Sequence, residues 1–305
     1  MKPYEDPFAG RVFPDPFPPL CASAWGDDRY GLWCEIEVGG VVQRLRWIEP
    51  GEFRMGVAAA ERQRFGEQGE DWWKKRIEGE APCHRVKLTR GFWLADTACT
   101  QALWQAVVGD TPGHIAGDLD LPVEQVSWDD ISEKLLPALS RQIPGAEALL
   151  PTEAQWEYAC RAGTATAYHF GEAIGTDQVN YHGNHPPPGA RKGEYRGRTV
   201  PVNALPANGW GLYQMHGNVS EWCADARRTY EVDPVEDPDG GQGGVSRVLR
   251  GGSWGMGAWH ARSASRIHSR RDLRSAGIGF RFALRSIEPS AGGGMGVLDE
   301  AGGAR

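Results

Sequence analysis

From position 32 onward the chain alternates apolar and polar residues through Leu32-Trp33-Cys34-Glu35-Ile36-Glu37-Val38, meets Gly39-Gly40, and resumes from Val41 to Ile48. A period of two broken by a two-glycine turn predicts a β-hairpin. His84-Arg85-Val86-Lys87-Leu88 alternates in the same way, and Gly91-Phe92-Trp93-Leu94 runs on into the core. The period then becomes helical. Thr100 is placed to cap a helix over 101–108, with Leu103, Trp104 and Val107 on one face and Gly109 at its end. A second helix starts at Ser127 or Asp129 and puts Ile131, Leu135 and Leu139 on one face. In a third, Thr152 and Gln155 form a capping-box pair, Trp156, Ala159 and Cys160 make the packed face, and Gly163 stops the helix.

Near the C-terminus Arg247-Val248-Leu249-Arg250 alternates into Gly251-Gly252, which reads as a strand entering a tight turn. Residues 278–284 alternate again, with Ile278, Phe280, Phe282 and Leu284 on one face and Arg281, Ala283 and Arg285 on the other, a half-buried strand. Between these strands, residues 255–260, 265–269 and 273–277 follow neither period, which suits an exposed surface. Residues 58–82 are polar and charged and are expected to form an exposed loop with a helical turn, anchored by Trp72-Trp73. Together these patterns predict an α+β fold that is irregular and loop-rich, with small antiparallel sheets and few helices. The 41 glycines and 21 prolines among 305 residues add the expectation of many turns.

Charge narrows the reading further. The chain carries −7 overall, yet residues 247–285 hold nine arginines against one aspartate. A basic stretch can be a nucleic-acid footprint or an internal framework in which arginines pair with carboxylates and hold loop carbonyls. Glu153 and Glu157 resemble a catalytic carboxylate pair, but capping, dipole and ion-pair roles are commoner at a helix start. The six cysteines, Cys21, Cys34, Cys83, Cys99, Cys160 and Cys223, show no Cys-x-x-Cys spacing and read as free thiols. His182, His185 and His216 fit no zinc spacing and read as loop histidines. No apolar signal core opens the sequence and no run is long enough to span a membrane, so a cytoplasmic protein without membrane insertion is the default expectation, with export by another route left open.

Several ordered blocks carry a family resemblance: Gly217-Asn218-Val219-Ser220-Glu221-Trp222-Cys223-Ala224-Asp225, Arg247-Val248-Leu249-Arg250-Gly251-Gly252-Ser253-Trp254, Arg262-Ser263-Ala264 and Gly279-Phe280-Arg281. They resemble the formylglycine-generating-enzyme (sulfatase-modifying factor) domain across residues 33–285, and Pro50-Gly51-Glu52-Phe53-Arg54-Met55-Gly56 is similar to its opening strand. The resemblance implies an irregular, C-type-lectin-like fold. It also places Arg250, Arg262, Arg266, Arg274 and Arg281 at framework positions, which implies internal salt bridges and no direct nucleic-acid partner. It divides the chain into an extended N-terminal arm (1–32), the domain (33–285, with 247–285 as a variable region) and a flexible tail (286–305). It also implies where the family's two copper-binding cysteines would fall, and this chain has Met256 and Ala261 there. Neither supplies a thiolate, so no copper is expected. No helical domain with an iron-binding histidine set precedes residue 33, so no iron is expected either.

The end segment is similar in layout to the variable proteins of diversity-generating retroelements, in which error-prone reverse transcription rewrites selected codons while a lectin-like scaffold displays the changed side chains. By that resemblance the displayed, ligand-binding residues are Gly255, Met256, Gly257, Trp259, His260, Ser265, Ile267, His268, Ser269, Leu273, Ser275, Ala276 and Gly277. Adenine-directed change of an AAC codon cannot yield Met256 or Trp259, so these two are expected to be fixed or templated by other codons. The implied function is non-catalytic binding of a protein or other macromolecular target. The alternatives are an oxidoreductase working without the cysteine pair and a structural or regulatory module with one fixed partner.

The family's structural calcium would be held, by the same resemblance, at two places. One uses Asn180, the carbonyl of Tyr181 and oxygens near Glu194 and Tyr195. The other uses Gln214, the carbonyls of Gly217 and Val219, and Glu221. Hard cations take such carboxylate and carbonyl oxygens, but a neutral Gln where an Asn or Asp is usual predicts weaker binding at the second place.

Overall fold

Among the described residues, the chain forms three separate sheets, and short helices close their faces. The computed structural model describes residues 11–67, 71–114, 117–241 and 243–287. Residues 1–10 of the expected arm, the expected tail from 288 onward and the side chain of Trp72 lie outside the described residues.

The predicted hairpin is present as β2 (Gly31–Val38) and β3 (Val41–Ile48). Val38 pairs with Val41 across Gly39 and Gly40, whose φ angles of 58° and 77° give the two-residue turn that matches strand twist. The hairpin joins β1 (Ala24–Asp28), β6 (Phe92–Ala95), β13 (Ala283–Ser286) and β7 (Ala146–Leu149) in a six-stranded sheet of order β1-β2-β3-β6-β13-β7. Residues 24–32 are thus part of the sheet rather than of an extended arm, because the backbone of 24–28 pairs antiparallel with β2. A three-stranded sheet holds β4 (Gly51–Met55), β5 (His84–Leu88) and β9 (Val235–Glu236).

A third sheet, of order β11-β10-β8-β12, carries the C-terminal segment: β8 (Ser220–Trp222), β10 (Ser246–Arg250), β11 (Arg266–Arg270) and β12 (Ile278–Gly279). The expected single strand over 278–284 is divided. β12 pairs with β8 in this sheet and β13 with β6 and β7 in the six-stranded one, so residues 280–282 cross between sheets. Both faces are buried as a result, Arg281 included.

Helix α3 (Gln101–Val108) is capped by Thr100, whose hydroxyl accepts from the Leu103 amide, and ends at left-handed Gly109. Ser127 and Asp130 close a capping box at α4 (Trp128–Asp130), which continues through a π-helical turn (Ile131–Leu135) into α5 (Leu136–Ser140). α6 (Glu153–Arg161) has the predicted box of Thr152 and Gln155, while the left-handed terminator is Ala162, one residue before Gly163. Against the six-stranded sheet, α3 and the 128–140 helix bury Leu103, Trp104, Ile131, Leu135 and Leu139 with Leu45, Phe280 and Phe282. Each such side chain contributes about 1.5–3 kcal/mol of transfer free energy.

Residues 58–82 are not the exposed loop that their polarity suggests. They form α1 (Ala59–Gly66) and α2 (Asp71–Glu78), which bury Phe65, Trp73 and Ile77 against Tyr168, Ala258, Ala261 and Ala264. The anchoring role expected of Trp73 holds, and its indole donates to the Phe65 carbonyl at 3.1 Å. Among the described residues no helix is long and apolar enough to cross a membrane.

Candidate functional site

The segment after β10 is held from below by buried arginines. Arg250 donates to Glu153 at 3.0 Å, to Glu157 at 2.6 Å and to the Ser263 carbonyl. Arg266 takes the other Glu153 oxygen at 2.6 Å, and Arg161 takes Glu157 at 2.8 Å. Arg281 clamps Glu221 at 2.7 and 2.9 Å and also reaches the Tyr213 carbonyl at 2.8 Å. These charges are removed from water, and such burial is tolerated only when each is paired and hydrogen-bonded. Glu153 and Glu157 are therefore structural counter-charges, and the arginine-rich composition is internal framework. Arg274 does the same nearer the surface, pairing with Asp130 at 2.7 and 2.8 Å.

On this frame the chain turns at Gly251-Gly252, with φ of 86° and 68°, and folds back as a 3₁₀ turn (Ala258–Ala261) before β11. A Cβ at Gly252 would sit 2.9 Å from the His260 carbonyl, so the return of the backbone needs glycine there.

Of the thirteen expected display residues, Gly255, His268 and Leu273 are exposed, and Met256, Trp259, His260, Ile267, Ser269, Ser275, Ala276 and Gly277 are half-buried. Gly257 and Ser265 are buried and do not belong to a display surface. A Cβ on Gly257 would lie 2.8 Å from the Trp259 ring, and Ser265 is 2% exposed at the turn where its amide donates to the Arg262 carbonyl. Nor are residues 266–270 irregular: antiparallel pairing from Ser246 with Arg270 to Arg250 with Arg266 makes them an edge strand on β10.

The structure adds residues that period and composition could not place beside this segment. Tyr195 stacks on His182 (centroids 3.8 Å, 9°) and on Trp254 (6.3 Å), while His185 packs on His182 (4.6 Å) and on Trp259 (5.8 Å). The His182 amide donates to the Met256 carbonyl at 2.8 Å, and the Ala258 amide to the His185 carbonyl at 3.0 Å. A row of rings drawn from two distant stretches thus lies along residues 254–259. Trp259 itself leans on Trp73 (6.0 Å), and His260 meets Trp73 edge-on at 5.4 Å. Burial, with Arg76 and Arg262 nearby, pushes the His260 pKa down to about 3.

Where the related oxidases would place cysteines, Met256 is half-buried, its sulfur 3.9 Å from the Ser220 hydroxyl, and Ala261 is 1% exposed. Cys160 lies beneath, 3.8 Å from both ring nitrogens of His216 and from the Ser263 hydroxyl. Burial pushes its thiol up to about 12, so it offers no thiolate near neutral pH. His216 accepts from the His169 amide at 3.1 Å through Nε2 and meets the Ala261 carbonyl at 2.6 Å through Nδ1. That assigns the proton to Nδ1 and a structural role to the ring. His216 thus packs on His169 and Tyr168, apart from the pairing of His182 with His185. All six cysteines are free.

The two calcium positions inferred from resemblance can be tested against orphaned oxygens. Asn180 Oδ1 and Gln214 Oε1 are both buried without a hydrogen-bond partner. The Asn180 amide nitrogen is occupied, donating to Asn218 and the Arg198 carbonyl at 3.0 Å, and that of Gln214 donates to the Pro201 carbonyl at 2.7 Å. Each side chain therefore aims a free oxygen inward, as a hard-cation ligand would. Glu194 and Glu221 fit less directly. The Glu194 side chain is exposed and pairs with Arg196 at 3.2 Å, and the Glu221 oxygens already accept from Arg281 and Trp156.

A family model described as the sulfatase-modifying factor enzyme 1-like domain matches residues 40–286. The chain is 31% identical to a formylglycine-generating enzyme of Streptomyces coelicolor over 294 residues, covering 76% of this chain and 86% of that protein. It is 34% identical to the inactive C-alpha-formylglycine-generating enzyme 2 of Mus musculus over 62% of this chain and 57% of that one. Among solved structures, Treponema denticola variable protein 1 superposes with a TM-score of 0.65 at 24% identity, covering 83% of this chain and 99% of that one, a likeness of fold.

Proposed function

The chain belongs to the sulfatase-modifying factor enzyme 1-like family, and from that premise we propose that it is a non-catalytic binding protein. Its lectin-like scaffold would present the surface around residues 255–277 to a protein or other macromolecular target, with that surface diversified by a retroelement. One observation carries the reading: the two positions that the related oxidases need as cysteines are Met256 and buried Ala261, over a Cys160 whose thiol is buried and protonated. A soft-metal oxidase without a thiolate lacks its ligand and its nucleophile. The arginine framework supports the other half of the reading. Arg250, Arg262, Arg266 and Arg281 make their ion pairs with glutamates outside the display positions, so a side-chain change at Gly255 or His268 leaves those pairs intact.

Binding energy in the present variant would come from Trp259 and Met256 with the neighbouring Trp254, Tyr195, His182 and His185. Half-buried rings beside a polar rim are the usual composition of an interface centre. Calcium at Asn180 and at Gln214 would fix the loops that carry His182 and Tyr195, supplying charge where two buried oxygens otherwise have none to face. Arg281, by holding Glu221 and the Tyr213 carbonyl, would position the chain around Gln214 whether or not the ion is bound.

The test is to sequence the 3′ end of the gene and its flanking DNA in many descendants of one strain. A nearby, adenine-richer near-copy of the 250–281 coding segment beside a reverse-transcriptase frame, with change confined to exposed positions, is the expected result. An invariant segment without such a copy overturns diversification and leaves a fixed-partner module. The identity to a formylglycine-generating enzyme favours one second reading, an oxidase of cysteine peptides. Metal-dependent turnover of a cysteine peptide by the purified chain would establish it and overturn the binding role.

A further inference from the structure

Beside the display surface, a pocket of about 180 Å³ opens between α2, the chain after β8 and the edge strand β11. Among the described residues, its polar lining is the cations Lys75, Arg76, Arg227 and Arg266 with His268, and no carboxylate. Glu153, which faces Arg266, is committed to Arg250 and Arg266, and Glu80, which acts on Arg76, is committed to Arg262. Arg266 is also spent, since it donates to Glu153 and to the Arg228 carbonyl at 2.9 Å. Arg76 is not. Its Nε is buried and has no hydrogen-bond partner.

The positive field inside is recorded by its own groups. The pKa of His268 is lowered by burial and then by Arg227, Arg266 and Arg76, and that of Arg76 is lowered by burial despite Glu80. Like charges gathered in a partly enclosed site repel one another, and a bound anion relieves that repulsion. The volume lies below that of pockets for drug-sized molecules, so a small anionic group fits it better than a whole metabolite. Planar guanidinium groups match tetrahedral oxyanions with paired N–H donors.

We propose that this pocket is a phosphate-binding site: Arg76 and Arg227 grip the oxyanion, and Lys75 and His268 close over it. It takes a phosphoryl group borne by a small molecule or by a side chain of a bound partner. His268 belongs to the display segment, so the bound group would sit at the edge of the target surface. The site itself does not depend on that segment being variable.

The probe is inorganic phosphate at constant ionic strength, followed by titration calorimetry and by NMR signals of the His268 ring and the Ile267 amide. The expected result is saturable binding with shifts at His268, weakened about tenfold in Arg227→Gln by loss of a charge-assisted contact. Arg227 is exposed, so that variant folds even where Arg76→Gln does not. Arg141→Gln, an exposed site elsewhere, makes the same charge change and should bind as the wild type does. Absence of a saturable shift at His268, or equal weakening in Arg227→Gln and Arg141→Gln, overturns the assignment. O-phosphoserine and glucose 6-phosphate distinguish a peptide-borne from a sugar-borne group, and binding of either must show the same loss in Arg227→Gln. Salt-dependent DNA binding without phosphate saturation would instead identify a nucleic-acid surface and would also overturn it. None of these results bears on gene variation, so this site and the diversified surface fail separately.

Discussion

Arg262 donates both hydrogen bonds of one NH₂ group to Glu80, at 2.8 and 2.9 Å, and a third to Glu61 at 2.7 Å, tying the end of the 3₁₀ turn to α1 and the chain after α2. All three residues are buried, and the guanidinium also lies over the Phe65 and Trp73 rings. Removing Arg262 leaves two carboxylates in the interior without their hydrogen-bonded counter-charge. Arg262→Gln should destabilise the fold by about 3–5 kcal/mol, read as a lower urea midpoint at unchanged slope. A loss below about 1 kcal/mol would mean that the pair is solvated.

Two neighbouring glycines, exposed Gly255 and buried Gly257, should respond differently to a methyl group. Nothing lies within 4 Å of a Cβ on Gly255, whereas one on Gly257 meets the Trp259 ring at 2.8 Å. Gly255→Ala should change stability by less than about 0.5 kcal/mol, and Gly257→Ala should cost about 1–3 kcal/mol through overpacking. Retroelement-driven change, where it occurs, should be found at 255 and not at 257. Equal melting curves for the two variants would contradict the packing.

Acid should destabilise the fold through His260. Its pKa is pushed down to about 3 by burial and by Arg76 and Arg262, while a histidine of the unfolded chain titrates near 6.5. As pH falls from about 6.5 toward 3, the unfolded chain takes up a proton that the folded chain refuses. The stabilisation is whole above that window and declines through it by about 1.4 kcal/mol per pH unit. His260→Gln should remove one such slope between pH 6 and 4, measured by urea unfolding at several pH values. A variant with the wild-type slope would show that His260 takes up its proton while folded.

Thiol labelling under native conditions should reach at most Cys21 and Cys83, which are half-buried, while Cys34, Cys99, Cys160 and Cys223 wait for unfolding. Desolvation raises the pKa of all four buried thiols, so both access and thiolate are withheld. Rapid native labelling of Cys160 would reopen the case for a nucleophile under Ala261.

Chelation tests the proposed calcium. With the ion at about a hundred times its dissociation constant, linkage contributes about 2.7 kcal/mol, so a chelator should lower Tm by about 5 °C or more. An unchanged Tm would mean that Asn180 and Gln214 face water instead.

Much of this molecule was legible along the chain. Thr100, Ser127 and Thr152 marked their helices because a cap is a local bargain between one side chain and the first free amides. The β2–β3 hairpin was equally local, since Gly39-Gly40 and a period of two need no distant partner. Only tertiary structure decided that 278–284 serves two sheets, because alternation reports burial and not which neighbour provides it. The same holds for 58–82: its apolar residues are few, and their burial depends on Ala258 and Ala261 nearly two hundred positions later. The internal use of the arginines followed from the family resemblance, but their partners did not. Nor did the row of Tyr195, His182 and His185 beside Trp259, or the meeting of Arg76 and Arg227 with His268. Sequence by itself determined the capped helices, the hairpin and the missing thiolates, which depend on residue type and short spacing. Structure decided the pairings and the pocket, because ion pairs, ring stacking and shared fields depend on distance in space and leave no period in the chain.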